Sequence, residues 1–262
     1  MNSGLVSTKV PAFLICSLIL FLCSCTLHSS GINKEQATHS RDGYQTLARF
    51  PFREAWYGIY YQDDKIGYSH FRIDPGKDGF VISFDSLIRL KTKGKTDEID
   101  LTEKVHVKPD LALVSFDSVV NMNAKRMEMR GIMRDKRLDV DISVGGETLK
   151  HPFKLEGTIY HASSVSLMPA LKGLTDGQSY TFTVFNAEKQ RLEKVDQQIF
   201  RVRGQAGPKG SVWKVKNAYG EAVVHSWLNE KGLTVIEKGG SEPLMTVLED
   251  EESARKFRDL KT

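Results

Sequence analysis

The feature that most constrains this chain is an apolar side chain at every second position, repeated in run after run. Phe80, Ile82, Phe84, Ser86, Ile88 and Leu90 alternate with mostly polar neighbours, and Ile99, Leu101, Val105 and Val107 do so among Asp100, Thr102, Lys104 and His106. Residues i and i+2 share one face of a strand, so each run reads as a β-strand with a dry side and a wet side. The beat continues through Ala112, Val114, Phe116 and Val120, through Met127, Met129 and Met133, and through Leu138, Val140, Ile142 and Val144, where Gly145 and Gly146 supply a turn. Upstream, residues 56–61 and 66–73 flank a polar turn at 62–65, and Gly58 and Gly67 inside them mark a bulge or a close backbone approach. After Gly177 the pattern restarts at Tyr180, Phe182 and Val184 and runs on through 199–203, 212–216 and 222–228 to a turn at 229–232 and a last run at 233–238.

Such a pattern predicts a mainly β protein of curved antiparallel sheets. Two related halves or layers, 50–156 and 177–262, are joined by a helical insertion at about 157–176. Helix is expected in two places only: near 164–171, capped by Ser163 or Ser164, and at 251–260. The second begins with Asp250, Glu251 and Glu252 and ends with Arg255, Lys256 and Arg258, the charge order that suits a helix dipole.

The region ahead of the strands has a different character. Lys9 precedes an apolar run at 10–22 that is too short to cross a bilayer comfortably, the layout of a secretory signal peptide. Its end, Leu22-Cys23-Ser24-Cys25, resembles a bacterial lipoprotein processing site. That resemblance implies a diacylglycerol on the Cys25 thiol, cleavage after Ser24 and acylation of the new amino terminus. An ordinary cleaved signal or an uncleaved anchor are the alternative readings. On the lipoprotein reading the chain divides into a signal at 1–24, a flexible tether at 25–49 and a β-rich domain at 50–262. A tether of that kind spans about 5 to 6 Å times the square root of its length. Thr26 is not the Asp that usually retains such proteins on the inner membrane, so the outer membrane is the expected address, with the body in the periplasm or at the surface.

Several function classes are excluded or unsupported. The formal charge of +4 over 262 residues, with no nucleic-acid motif, argues against a nucleic-acid partner. All 3 cysteines, Cys16, Cys23 and Cys25, lie in the export segment, which leaves the body without a disulfide or a thiol nucleophile. Gly67-Tyr68-Ser69-His70-Phe71 lacks the second glycine of a hydrolase elbow and lies in an expected strand. His28, His39, His70, His106, His151, His161 and His225 are scattered singly rather than at metal-ligand spacing. No catalytic, cofactor-binding or metal-binding residue is assigned. Lys125, Arg126, Arg130, Arg134, Lys136 and Arg137 form a basic hairpin that Glu128, Asp135 and Asp139 dilute, a solvated strand face rather than a lipid-binding patch. Met122, Met127, Met129 and Met133 read as core filling, with a pliable ligand-contacting surface as the alternative.

Two segments carry a further resemblance. Trp56-Tyr57-Gly58-Ile59-Tyr60 with Lys65-Ile66-Gly67-Tyr68 looks like the opening of the β-rich domain that precedes the catalytic domain in bacterial transglutaminase-like proteins. Trp227-Leu228-Asn229-Glu230-Lys231-Gly232-Leu233, followed by acidic 249–252 and Ala254, is similar to the end of that domain. The family's catalytic Cys, His and Asp have no counterpart in the body, so no functional residue carries over. The expected function is a lipid-anchored, non-enzymatic binding or scaffold module, partnered by another envelope protein or by a separate transglutaminase-like protein. The alternative is a carrier of an apolar or acyl-chain ligand, sheltered in a half-barrel lined by Phe80, Ile82, Phe84, Val114 and Phe116.

Overall fold

The computed structural model describes residues 50–259 apart from 93–94, 124, 188, 205, 221 and 240–242. Cys25, the signal and the tether lie outside the described residues. The first half is a meander of eight strands: β1 (Glu54–Tyr61), β2 (Asp64–Gly76), β3 (Gly79–Thr92), β4 (Lys95–Val107), β5 (Leu113–Met122), β6 (Lys125–Arg134), β7 (Arg137–Val144) and β8 (Glu147–Lys154). A crossing segment follows, made of β9 (Ile159–Tyr160) and the short helices α1 (Ala162–Val165) and α2 (Met168–Lys172). The second meander comprises β10 (Ser179–Asn186), β11 (Arg191–Arg201), β12 (Trp213–Tyr219), β13 (Ala222–Leu228), β14 (Thr234–Gly239) and β15 (Leu244–Glu249). Helix α3 (Glu251–Arg255) and a 3₁₀ turn at Lys256–Asp259 close the described chain.

All fifteen strands belong to one sheet, in the order β8-β7-β6-β5-β4-β3-β2-β1-β15-β14-β13-β12-β11-β10-β9. Pairing is antiparallel throughout, except that β9 lies parallel to β10. The chain thus starts in the middle of the sheet, works out to one edge, crosses to the other and returns to pair β15 against β1, with Trp56 opposite Glu249. The sheet curls until its two halves share a core. Phe116 of β5 stacks with Phe185 of β10 at 5.6 Å, and Phe153 of the edge strand β8 meets the same ring edge-on at 5.3 Å. Side chains rather than backbone hydrogen bonds therefore close the seam, and one cluster of buried residues runs from Ile73 and Ile82 to Val195 and Tyr219.

Close approach fixes two glycines. A Cβ on Gly131 would sit 2.0 Å from the ring of Phe116, its direct cross-strand partner, and one on Gly67 would sit 2.2 Å from the Leu87 carbonyl oxygen. Gly67 also adjoins a bulge, where the β1–β2 register slips between Ile59 and Tyr60.

Some local expectations need correction. Val114 does not face the interior; it is 40% exposed. Val107 pairs with Leu113 and His106 with Ser115, so Val114 is the extra residue of a bulge and is turned outward. Helix in the crossing segment begins earlier than expected and breaks in two, and its N-cap is His161 rather than a serine. Ser164 works from inside the helix: its Oγ accepts the His161 N–H at 3.1 Å and donates to the His161 carbonyl at 2.7 Å. Pro169 sits in the first turn of α2, and Gly173, at φ +92°, follows its end.

Candidate functional site

The inner face of the sheet is not uniformly apolar. Cross-strand pairing sets Ser69 of β2 directly opposite Ser86 of β3, and Glu103 of β4 opposite Ser118 of β5. Across β1 the row continues with Thr246, Glu237 and Ser226 on β15, β14 and β13, then Asn217 and Gln197 on β12 and β11. Except for the half-buried Glu237, all of these side chains are buried. A buried polar group without a partner costs roughly 1–3 kcal/mol, so such a belt persists only where its members satisfy one another or something else. The Gln197 amide donates to Asn217 Oδ1 at 2.9 Å and to the Val165 carbonyl of α1 at 3.2 Å, which ties the crossing segment to the sheet. Gln197 Oε1 and Ser86 Oγ have no partner among the described residues.

A cavity of about 110 Å³ opens beside this belt, between β1, β2, β14 and β15 on one side and the crossing segment on the other. Aromatic rings form much of its wall: Phe52, Tyr57, Phe71, Phe84 and Tyr219. Its polar lining includes Ser69, Asn217, Thr246 and Glu237, with Ser163 and Ser166 from the crossing segment. Among the described residues, neither lysine, arginine nor histidine is part of the lining. Glu237 takes one hydrogen bond, from Ser226 Oγ at 2.6 Å. Burial pushes its carboxyl up to about 7, and the Ser226 hydroxyl offsets only part of that shift. Tyr57 donates to the Thr234 carbonyl at 3.2 Å. Its phenol is held well above the ordinary range, first by burial and then by the negative charge of Glu237. Both residues are therefore held in their neutral forms across a wider range of pH than in water.

The residues singled out in the sequence scatter over this frame. Ser69 lines the pocket, but His70 is on the opposite face of β2, stacked on Trp56 at 3.9 Å with Nε2 2.6 Å from Glu54. Adjacent strand residues point to opposite faces, so these two cannot act as a pair. His161 is buried, with Nδ1 2.9 Å from Ser163 Oγ and 3.5 Å from Glu103 Oε1. Both partners meet the same ring nitrogen, which is not the relay in which hydroxyl and carboxylate occupy different nitrogens. His225 stands beside Trp227, and burial, with Lys214 and Lys216 nearby, lowers its pKa. His106 and His151 lie on β4 and β8, and His28 and His39 lie outside the described residues. No group of three or more His, Cys, Asp or Glu side chains is placed to hold a metal among the described residues.

The basic hairpin is laced with ion pairs: Arg126 with Glu128, Arg130 with Asp117, and both Arg134 and Arg137 with Asp139. Met129 is buried, and Met127 and Met133 pack against the main core. Trp56 and Tyr68 from near the start of the domain pack on the outer face against Ala254 and Phe257 from its end, so two stretches far apart in sequence meet in space. Glu103, Gln197, Asn217, Ser226, Glu237 and Thr246 were not singled out from sequence. Glu103 was visible as a charged residue between Leu101 and Val105 on an otherwise apolar face.

No protein-family model matches the chain, and no curated protein matches it. Among solved structures it is similar to a β-barrel-like protein of the domain of unknown function DUF1849 from Brucella abortus, at 15% identity and a TM-score of 0.52, over 76% of this chain and 98% of that one. A DUF1089 family protein from Pseudomonas aeruginosa aligns at 13% identity and a TM-score of 0.38, over 79% of this chain and 98% of that one. At such identities the first likeness shows the fold alone: this chain has a β-barrel-like fold, built as one large curved antiparallel sheet.

Proposed function

We propose that this protein is a lipid-anchored bacterial envelope module that binds rather than catalyses, tethered through Cys25 to the outer membrane. The observation that carries the binding reading is the interior. A carrier of acyl chains needs an open apolar trough, whereas here Phe80, Ile82, Phe116 and Phe185 are buried in the core and the cavity beside the polar belt holds about 110 Å³. That volume is well below the roughly 300–1,000 Å³ that holds a drug-sized ligand. A carboxyl and several hydroxyls border it, which suits a small polar guest and not a hydrocarbon tail. The resemblance of residues 56–68 and 227–257 to a transglutaminase-associated domain points the same way, because that domain accompanies catalysis without performing it. Its partner is then another envelope protein, a separate transglutaminase-like protein among them.

The anchor reading rests on Leu22-Cys23-Ser24-Cys25 and has a firm energetic basis: each buried methylene contributes about 0.8 kcal/mol, so two or three acyl chains hold almost permanently. Expression of the full chain and of Cys25→Ala, followed by membrane fractionation and mass measurement, tests it. The native chain is expected in the membrane fraction with the added mass of its acyl groups, and the variant in the soluble fraction. A variant that stays on the membrane at unchanged mass rules the anchor out. Native mass spectrometry of the Cys25→Ala protein, prepared without detergent, is expected to show no retained lipid; a stoichiometric lipid adduct would restore the carrier reading.

A further inference from the structure

We propose that the pocket beside Glu237 is a binding site for a small organic ammonium ion, its positive charge against the Glu237 carboxylate and its alkyl substituents against Phe71, Phe84 and Tyr219. The proposal rests on the reading of the domain as a binding module and names the class of ligand. Three observations converge on that class.

The first is the carboxyl itself. Among the described residues, Glu237 faces the cavity with a single hydrogen bond, from Ser226, and no cationic side chain lines the same space. An ionised carboxylate in a low-dielectric site is costly unless something opposes its charge. Anionic ligands would add to that cost, and neutral apolar ones would leave it in place. A neutral donor offsets part of it, as Ser226 does, and a cationic guest offsets the most.

The second is the wall. Five aromatic side chains border the cavity, and the negative face of an aromatic ring attracts a cation by about 0.5–2 kcal/mol. Aromatic rings around one carboxylate make a cage for an alkylated ammonium head, whose methylene groups need apolar contact and whose charge needs a counter-ion.

The third is the remaining polar lining. Asn217, whose Oδ1 accepts from Gln197, brings its amide to the lining, and Ser69 and Thr246 bring hydroxyls to the same space. These groups suit a guest that also carries an oxygen. The volume of about 110 Å³ exceeds the 10–15 Å³ that one water needs, and it admits an ion of a few carbon atoms.

The charge state of the site is simple. Besides Glu237, the titratable side chains that line the cavity are Tyr57 of β1 and Tyr219 of β12. Strands β13 and β15 present Ser226 and Thr246 as the direct cross-strand partners of Glu237, and the crossing segment presents Ser163 and Ser166. His225 and Lys238, next in sequence to Ser226 and Glu237, point to the other face of the sheet. Binding therefore follows ionisation of one group.

The test is calorimetric titration of the full chain in detergent with n-butylammonium, against n-butanol and butyrate as neutral and anionic probes of the same length. The ammonium ion, which stays protonated over the range used, is expected to bind at least about ten-fold more tightly than either control, and its affinity to rise about ten-fold or more between pH 5.5 and 8. Glu237→Gln keeps the shape and the hydrogen bond from Ser226 and is expected to lose the preference. Ser226→Ala keeps the carboxyl but removes its one donor, and is expected to move the midpoint of the pH response upward. Equal affinity for butanol, an unchanged response in Glu237→Gln, or a pH-independent affinity in both the native chain and Ser226→Ala overturns the proposal. Any of these results in a chain that still fractionates with the membrane rejects the ligand class and leaves the anchored module standing.

Discussion

Glu237 follows a bulge. Leu228 pairs with Thr234 and Trp227 with Ile236, so Val235 is the extra residue, and Thr234 and Glu237 line the same pocket although they are three apart. This carboxyl has a consequence for stability whether or not a ligand is present. Its folded pKa is raised to about 7 from an ordinary 4.5, so the folded state holds a proton that the unfolded chain has already released. The associated stability is fully present below about pH 4.5 and is lost as pH rises through 7. A shift of that size corresponds to a change on the order of 3 kcal/mol across the window. Urea midpoints measured from pH 4 to 8 are expected to fall for the native chain and to lose this component in Glu237→Gln; parallel curves for the two proteins would contradict the assignment. Residue-scale legibility was uneven for the same reason. Glu103 and Ser86 stand at inward positions of unbroken alternations, and a strict reading of parity finds them. Val114 and Glu237 adjoin bulges, and a single extra residue reverses every face downstream of it.

Helix α3 was readable because its signals are local. Asp250 accepts the Ser253 N–H at 2.7 Å and its hydroxyl at 2.9 Å, Glu251 and Glu252 occupy the first turn, and Arg255 ends the α-helical part. The expected helix at 251–260 is instead one α-turn followed by a 3₁₀ turn over Lys256–Asp259. Its apolar side, Ala254 and Phe257, covers Trp56 and Tyr68 on the outer face of the sheet, and the Arg255 guanidinium lies 4.5 Å from the Trp56 ring. Lys65 adds a tie to Glu249 and to the Ser253 carbonyl. Asp250→Ala is expected to destabilise the domain by about 1 kcal/mol, the usual value of an N-cap, and to speed proteolysis after Arg255 without changing the pocket. The crossing helices were harder to place. A histidine is an uncommon N-cap, and Ser164 satisfies the helix start from the third position rather than from the cap itself. Strand existence and the mainly β class were legible because alternation is a local signal. Alternation left two layers and two halves of one curved sheet both open; the second is what forms, and what selects it is the pairing of Trp56 with Glu249, which links residues from opposite ends of the domain.

That pairing makes the β1–β15 contact the clasp of the whole barrel. Pairing across so long a loop carries a large closure entropy, and opening it would part the two meanders. The edges behave otherwise: β8 pairs only with β7, and β9 holds two residues. Hydrogen exchange is therefore expected to leave the amides of β1, β2 and β15 protected to the level of global stability, while those of β8 and β9 exchange through local opening. Uniform protection across the sheet would show that the Phe153–Phe185 seam binds the edges as firmly as hydrogen bonds do. The order of the strands also makes the barrel polar. Because β1 begins where β15 ends, the incoming chain, α3, the crossing segment and the connections after β11 and β13 gather at one rim, and the described reversals at the other rim, such as Gly145-Gly146, are tight. Phe52, Gly232 and Leu233 place the pocket toward the crowded rim. A tether attached ahead of residue 50 would turn that rim toward the bilayer, so a solute on its way in would travel through the narrow space beneath the barrel, and the smooth pole would be the side shown to the rest of the cell envelope.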